Sequence, residues 1–175
     1  MPEGHTNILR FPSGGACVEC VDLDATAALA GRIADTLEPG DVVLLDGALA
    51  AGKTTFISLL ARALGTKAQP SSPTYTISNV YEAPRFEIFH IDAYRLAGAD
   101  DFHHLGLEEF FPGGVALIEW GDRVASAFPL ALRIGIDFLG DSEEGRSFRL
   151  TSPNPRWRPL IAELAGEPAR KSDSA

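Results

Sequence analysis

An apolar run that stops at a glycine, passes four small or apolar residues and resumes with Gly-Lys-Thr leaves a chain few ways to fold. Residues 42–56 read VVLLDGALAAGKTTF. Val42–Leu45 is a short, continuously apolar run bounded by turn signals, as a parallel strand buried on both faces is. Past the loop, Phe56, Leu59, Leu60, Ala63 and Leu64 recur at helical spacing and predict one buried face. Gly65 stands where such a helix ends. Between strand and helix, Gly47 through Thr54 match G-x-x-x-x-G-K-T/S in the strand–loop–helix context that motif requires.

The spacing has a physical meaning. The first turn of a helix leaves backbone N–H groups without intrahelical acceptors, and the aligned peptide dipoles make that end positive. Phosphate oxygens supply the acceptors. Backbone amides from Ala50, Ala51, Gly52, Lys53, Thr54 and Thr55 are therefore expected to wrap a phosphate, with Gly47 and Gly52 allowing close approach. Lys53 would reach the β- and γ-phosphates, and the Thr54 hydroxyl would ligate Mg2+. The expected ligands are ATP or ADP with Mg2+.

The rest of the chain predicts an α/β domain. ACVECVDL reads as a strand, Asp24 is a candidate helix cap, and Leu29, Ile33 and Leu37 share one helical face. Residues 70–95 suggest an antiparallel hairpin turning at Ala83-Pro84-Arg85, and VALI at 115–118 is a second fully apolar strand. Residues 131–138 and 147–152 suggest late antiparallel strands, followed by a short helix near 155–166. The expected architecture is a P-loop NTPase-like three-layer fold with a mixed, partly antiparallel central sheet. One domain is expected over 1–165, with 1–15 loose and 166–175 a disordered tail.

Composition narrows the function. There are 15 Lys and Arg against 24 Asp and Glu, a net charge of −9. That balance argues against independent binding to nucleic acid, because phosphate contacts need a basic surface. No apolar stretch reaches the length of a membrane span and no signal-peptide layout opens the chain, so a cytoplasmic location is expected. Cys17 and Cys20 form a lone C-x-x-C whose side chains would leave an extended strand on opposite faces, the pattern of ordinary reduced cysteines.

Two acids end apolar strands, where ligands of open α/β sheets collect. Glu119 closes VALIE and is a candidate metal-side or water-activating carboxylate; the alternative is a surface acid. Asp92 closes FEIFHID and either enters the metal shell, orients a water, caps a helix or pairs with Arg95. His90 lies on the same strand face as Asp92 and reads as a structural histidine. Trp120 either stacks near the site or packs. The hydroxyl-rich loop SSPTYT (71–76) reads from its residues as a polar turn; beside a γ-phosphate, such a loop would be placed to order when ATP is bound, as switch segments do.

Taken together, GALAAGKTTF, SSPTYTISNVYE, FHIDAYRL, LGLEEFF and LIEWGDR resemble, in order, the TsaE (YjeE) family, the ATPase subunit of the bacterial tRNA threonylcarbamoyladenosine machinery. The resemblance covers roughly residues 20–140. It implies slow Mg2+-dependent ATP hydrolysis and docking on a TsaB–TsaD pair that transfers threonylcarbamoyl to the adenosine beside the anticodon. Contact with tRNA would come only through that complex. The resemblance makes Lys53 the phosphate lysine, Thr54 and Glu119 metal-side residues and Thr55 the second loop hydroxyl. It also makes Asp92 the acid of the D-x-Y-R element, puts Thr74 in the switch-like loop and Thr26 near the adenine, with Trp120 following Glu119.

Family members usually read G-D-L-G-A-G-K-T in the loop. This chain carries Ala48 and Ala50 there, losing an acid and placing alanine where a left-handed conformation costs roughly 1 kcal/mol or more. Two rivals share the loop: a small-molecule kinase, which would need lid arginines, and a nucleotide switch that binds partners without useful turnover.

Overall fold

The computed structural model describes residues 8–10 and 14–166. Its sheet is mixed and holds eight strands among those residues, in the order β1-β2-β8-β7-β3-β6-β5-β4. These are β1 (Ile8–Arg10), β2 (Ala16–Cys20), β3 (Val42–Asp46), β4 (Ser78–Glu82), β5 (Glu87–Asp92), β6 (Gly114–Glu119), β7 (Leu132–Phe138) and β8 (Arg146–Thr151). The central four, β7-β3-β6-β5, run parallel, and the flanking pairs are antiparallel. The expected mixed α/β architecture is what the chain builds.

Central strands bury both faces, which is why VVLL is apolar throughout and GVALIE is apolar up to Glu119. Val43 and Leu45 of β3, with Val115 and Leu117 of β6, face one core. That core is covered by helices α1 (Leu23–Ala34), α2 (Lys53–Ala63) and α4 (Arg158–Leu164). Leu44, Ala116 and Ile118 face the opposite core, closed by Phe102 of helix α3 (Ala99–His104), by Phe111 and Phe128, and by Val124. Two cores around one sheet make the three layers. No helix among the described residues is long and apolar enough to cross a membrane.

Local chemistry accounts for most element ends. Gly65 (φ 91°) closes the turn after α2, and Gly106 (φ 67°) separates α3 from a 3-10 turn at Leu107–Gly113. Three details differ from expectation. Asp22, not Asp24, caps α1, because only an extended residue before the first turn can reach back to the amide of Ala25. Ile57 and Ala61 bury on α2 while Ala63 is exposed, because the helix turns a face one residue round from the one spacing suggests toward the core it shares with α1 and β6. Ile8–Arg10, in the segment expected to be loose, pairs antiparallel with Ala16–Val18. The remaining residues of 1–13 and the expected tail from 167 onward lie outside the described residues.

Candidate functional site

The parallel register decides what meets at the carboxyl edge of the sheet. Asp92 pairs with Glu119 across β5 and β6, and Leu45 pairs with Glu119 across β3 and β6. Both acids therefore stand beside the loop that leaves β3. Gly47 begins that loop at φ 156°, so close to β7 that a Cβ would lie 2.6 Å from the Ile136 carbonyl. Gly52 enters α2 at φ 107°. Ala50 adopts φ 65°, the left-handed conformation anticipated for that alanine, and Trp120 adopts φ 57°. Such strain in non-glycine residues persists only where the surroundings over-determine it.

An open pocket of about 420 Å³ occupies this edge. Ala50, Gly52, Lys53, Thr54, Thr55, Thr74, Asp92, Glu119 and Trp120 all line it, as do Leu49, Ser72 of the SSPTYT loop and Tyr94 of the D-x-Y-R element, which were not individually expected there. Three expected residues stand elsewhere. Gly47 sits at the loop's root, and Ala51 is buried beneath it, its amide donating to the Ala48 carbonyl. Thr26 lies buried at the start of α1, its hydroxyl donating to the Asp22 carbonyl, and does not line the pocket.

Lys53 is only 5% exposed. Its ammonium donates to the Gly47 and Ala48 carbonyls at 2.7 and 2.9 Å and lies 3.9 Å from the centre of the Trp120 ring. Burial pushes its pKa below the ordinary lysine value, against the pull of Glu119, Asp92, Asp46 and Asp122. The Thr54 hydroxyl donates to Glu119 Oε1 at 2.7 Å. Asp92 accepts the Tyr94 amide at 2.9 Å, so it caps a turn while lining the pocket, and Arg95 turns instead to the Tyr75 ring. Trp120 packs at 5.0 Å from Tyr94, and Ser72 and Thr74 share a 2.8 Å hydroxyl contact on the opposite wall.

The loop is also held from behind. Arg146, at the start of β8, donates from Nε to the Ala51 carbonyl at 2.7 Å. In a planar trans peptide the carbonyl and the next N–H point opposite ways. Pinning Ala51 outward thus turns the Gly52 amide away from Arg146. Nothing local in the sequence marks Arg146 for this contact, since it arrives through sheet pairing.

The donor set fits a hard cation shared with phosphate. A hydroxyl and a carboxylate touch, a second carboxylate lines the same wall, and no cluster of three or more His, Cys, Asp or Glu ligands occurs among the described residues. Mg2+ is typically held that way, by one or two protein oxygens together with phosphate and water, rather than by an all-protein cage. Thr54 and Glu119, with Asp92 nearby, are the residues that would hold it.

Comparison with known proteins gives a consistent relationship. The family model described as threonylcarbamoyl adenosine biosynthesis protein TsaE matches residues 20–148. The tRNA threonylcarbamoyladenosine biosynthesis protein TsaE of Treponema pallidum is 46% identical over 128 residues, covering 71% of this chain and 94% of that protein. The Bacillus subtilis protein of the same name is 38% identical over 147 residues, covering 83% and 90%. The crystal structure of Bacillus subtilis YdiB superposes with a TM-score of 0.68 at 31% identity, covering 91% of this chain and 97% of that one. With a matching family model over most of its length and relatives this similar, the chain belongs to the TsaE family.

Proposed function

We propose that this protein binds ATP with Mg2+ and hydrolyses it slowly, as a cytoplasmic subunit in tRNA threonylcarbamoyladenosine biosynthesis. It acts with TsaB and TsaD and meets tRNA only through that assembly. Membership in a family named for this biosynthesis supports the process. The observation that carries the chemistry is the Thr54–Glu119 contact at the N-terminus of a helix that no side chain caps, with Lys53 in the same pocket.

The residues divide the work. First-turn amides of α2 and the Lys53 ammonium meet negative charge on the phosphates, where fixed donors act without reorganising. Lys53 must leave the Gly47 and Ala48 carbonyls to do so, contacts that otherwise hold the loop closed on itself. Thr54 and Glu119 would hold Mg2+, which would supply positive charge against the phosphates. Glu119 and Asp92 orient and deprotonate the attacking water, and Trp120 keeps the Lys53 side chain against the pocket wall. The left-handed Ala50 and the absence of an acid at position 48 fit a modest catalyst.

Calorimetry with ATP and ADP in the presence of Mg2+ tests binding, and phosphate release tests turnover. Glu119→Ala is expected to keep nucleotide affinity and lower hydrolysis about a hundredfold. A variant at full rate would remove Glu119 from the chemistry. Reconstitution with TsaB and TsaD, scoring multiple-turnover tRNA modification with and without this chain, tests the role; equal turnover in both arms would defeat it.

A further inference from the structure

The polar contacts at the pocket wall continue behind Glu119. The oxygen that accepts from Thr54 also accepts from His90 Nε2 at 2.8 Å, and His90 is completely buried. A carboxylate only accepts, so Nε2 carries the hydrogen and Nδ1 of a neutral ring is an acceptor. Nδ1 lies 3.4 Å from the Tyr81 hydroxyl. That hydroxyl donates to the Ser71 carbonyl at 3.1 Å and accepts the Ser71 amide at 3.2 Å. Asn79, opposite His90 in the β4–β5 register, also donates to the Ser71 carbonyl, at 3.2 Å. Both backbone groups of Ser71 are thus held by side chains facing His90. Ser71 opens the loop that carries Ser72 and Thr74 into the pocket.

The Tyr81 hydroxyl has one hydrogen and two acceptors, the Ser71 carbonyl and His90 Nδ1. Only one of them can receive that hydrogen, and the Ser71 carbonyl at 3.1 Å is nearer than Nδ1 at 3.4 Å. We propose that His90 and Tyr81 are positioning residues that join Glu119 to the 71–76 loop, so that the placement of the carboxylate at the Thr54 hydroxyl follows the loop's conformation. This rests on the proposed hydrolytic role for its consequence, but the linkage itself concerns the chain without nucleotide. A histidine needed only to fill the core could be satisfied by backbone carbonyls; here one nitrogen faces Glu119, which lines the pocket, and the other faces Tyr81, which holds the start of the loop that carries Ser72 and Thr74 there.

Amide hydrogen exchange of the full chain, without nucleotide, reads the linkage directly. Tyr81→Phe is expected to speed exchange at 71–76, since it removes two of the three side-chain contacts to Ser71 and leaves only that of Asn79. The decisive variant is Glu119→Ala, expected to speed exchange in the same loop about threefold or more through His90. Unchanged loop exchange in Glu119→Ala would overturn the proposal, leaving Tyr81 as a local staple. In hydrolysis, His90→Asn loses the donor at the Nε2 position while His90→Gln keeps one there. His90→Asn is expected to lower kcat about tenfold with KM little changed, and His90→Gln to recover most of that loss. Equal losses in both, or a fall in Tm alone, would also overturn it. Should the His90 variants fail to fold, the exchange comparison decides. A wild-type chain that binds no ATP would defeat the hydrolytic reading and leave the exchange result standing.

Discussion

Helices α1 and α2 cover the same core, yet their N-termini are built in opposite ways. Asp22 precedes α1 with an extended backbone, its carboxylate accepts the Ala25 amide at 2.8 Å, and Asp24 adds negative charge to the first turn. Helix α2 begins at a left-handed glycine, has no capping side chain and no acid in its first turn, and carries Lys53 there instead. A cation at the positive end of a helix is unfavourable on its own. The first end is completed by its own sequence. The second is left without a cap, its cation, hydroxyl and two carboxylates lining one pocket, and meets an anion only in the proposed function.

The contrast can be broken most sharply at Lys53. Lys53→Ala is expected to weaken ATP binding by about a hundredfold or more, since a charge-assisted contact to phosphate contributes about 3 kcal/mol. Calorimetry that found unchanged affinity would make α2 an ordinary helix with an unusual start.

Cys20 sharpens the other side of the comparison. Helix N-termini commonly favour thiolates, but burial, with Asp22 adding to it, pushes the Cys20 thiol up to about 11 in spite of a hydrogen bond to Thr26. The folded chain then keeps a proton that the unfolded chain releases above its ordinary value of 9.0. Stability is expected to fall as pH rises from 9 to 11, by about 1–2 kcal/mol from this group. Urea melts below and within that window, on the native chain and on Cys20→Ala, measure it; an identical pH slope in the variant would assign the effect elsewhere.

Asp22→Ala is the matched control for Lys53→Ala. It should cost about 1 kcal/mol of stability and leave ATP affinity unchanged. A large loss of affinity would mean that the two helix ends are not independent.

The smallest expected effect belongs to Ala50. Glycine relieves the left-handed strain but loosens the unfolded chain, and these oppose each other at about 1 kcal/mol each. Ala50→Gly should therefore move Tm by no more than a few degrees; a large destabilisation would mean that the Ala50 methyl packs in a way the loop requires.

Much of this was legible before any coordinates. The runs VVLL and VALI declared buried parallel strands because nothing polar interrupts them, and Gly47, Gly52 and Lys53 declared the loop because their spacing is specific. Boundaries and faces were less legible. Asp22 and Asp24 are equally good caps by composition, and only the backbone conformation of residue 22 separates them. Ala63 and Ile57 exchanged expected burial because helical periodicity gives a stripe's width better than its azimuth.

What the amino-acid sequence determined alone was the chemistry carried at each position and the local turn from strand to helix, both encoded within a few neighbouring residues. Tertiary structure decided which distant groups became partners: Glu119 for Thr54 and His90, Arg146 for the Ala51 carbonyl, Tyr81 for Ser71. It also left Thr26 away from the pocket despite its place at a helix start. Partnership across 65 residues, as between Thr54 and Glu119, depends on strand order and register. Those are properties of the whole sheet, and no short window of sequence contains them.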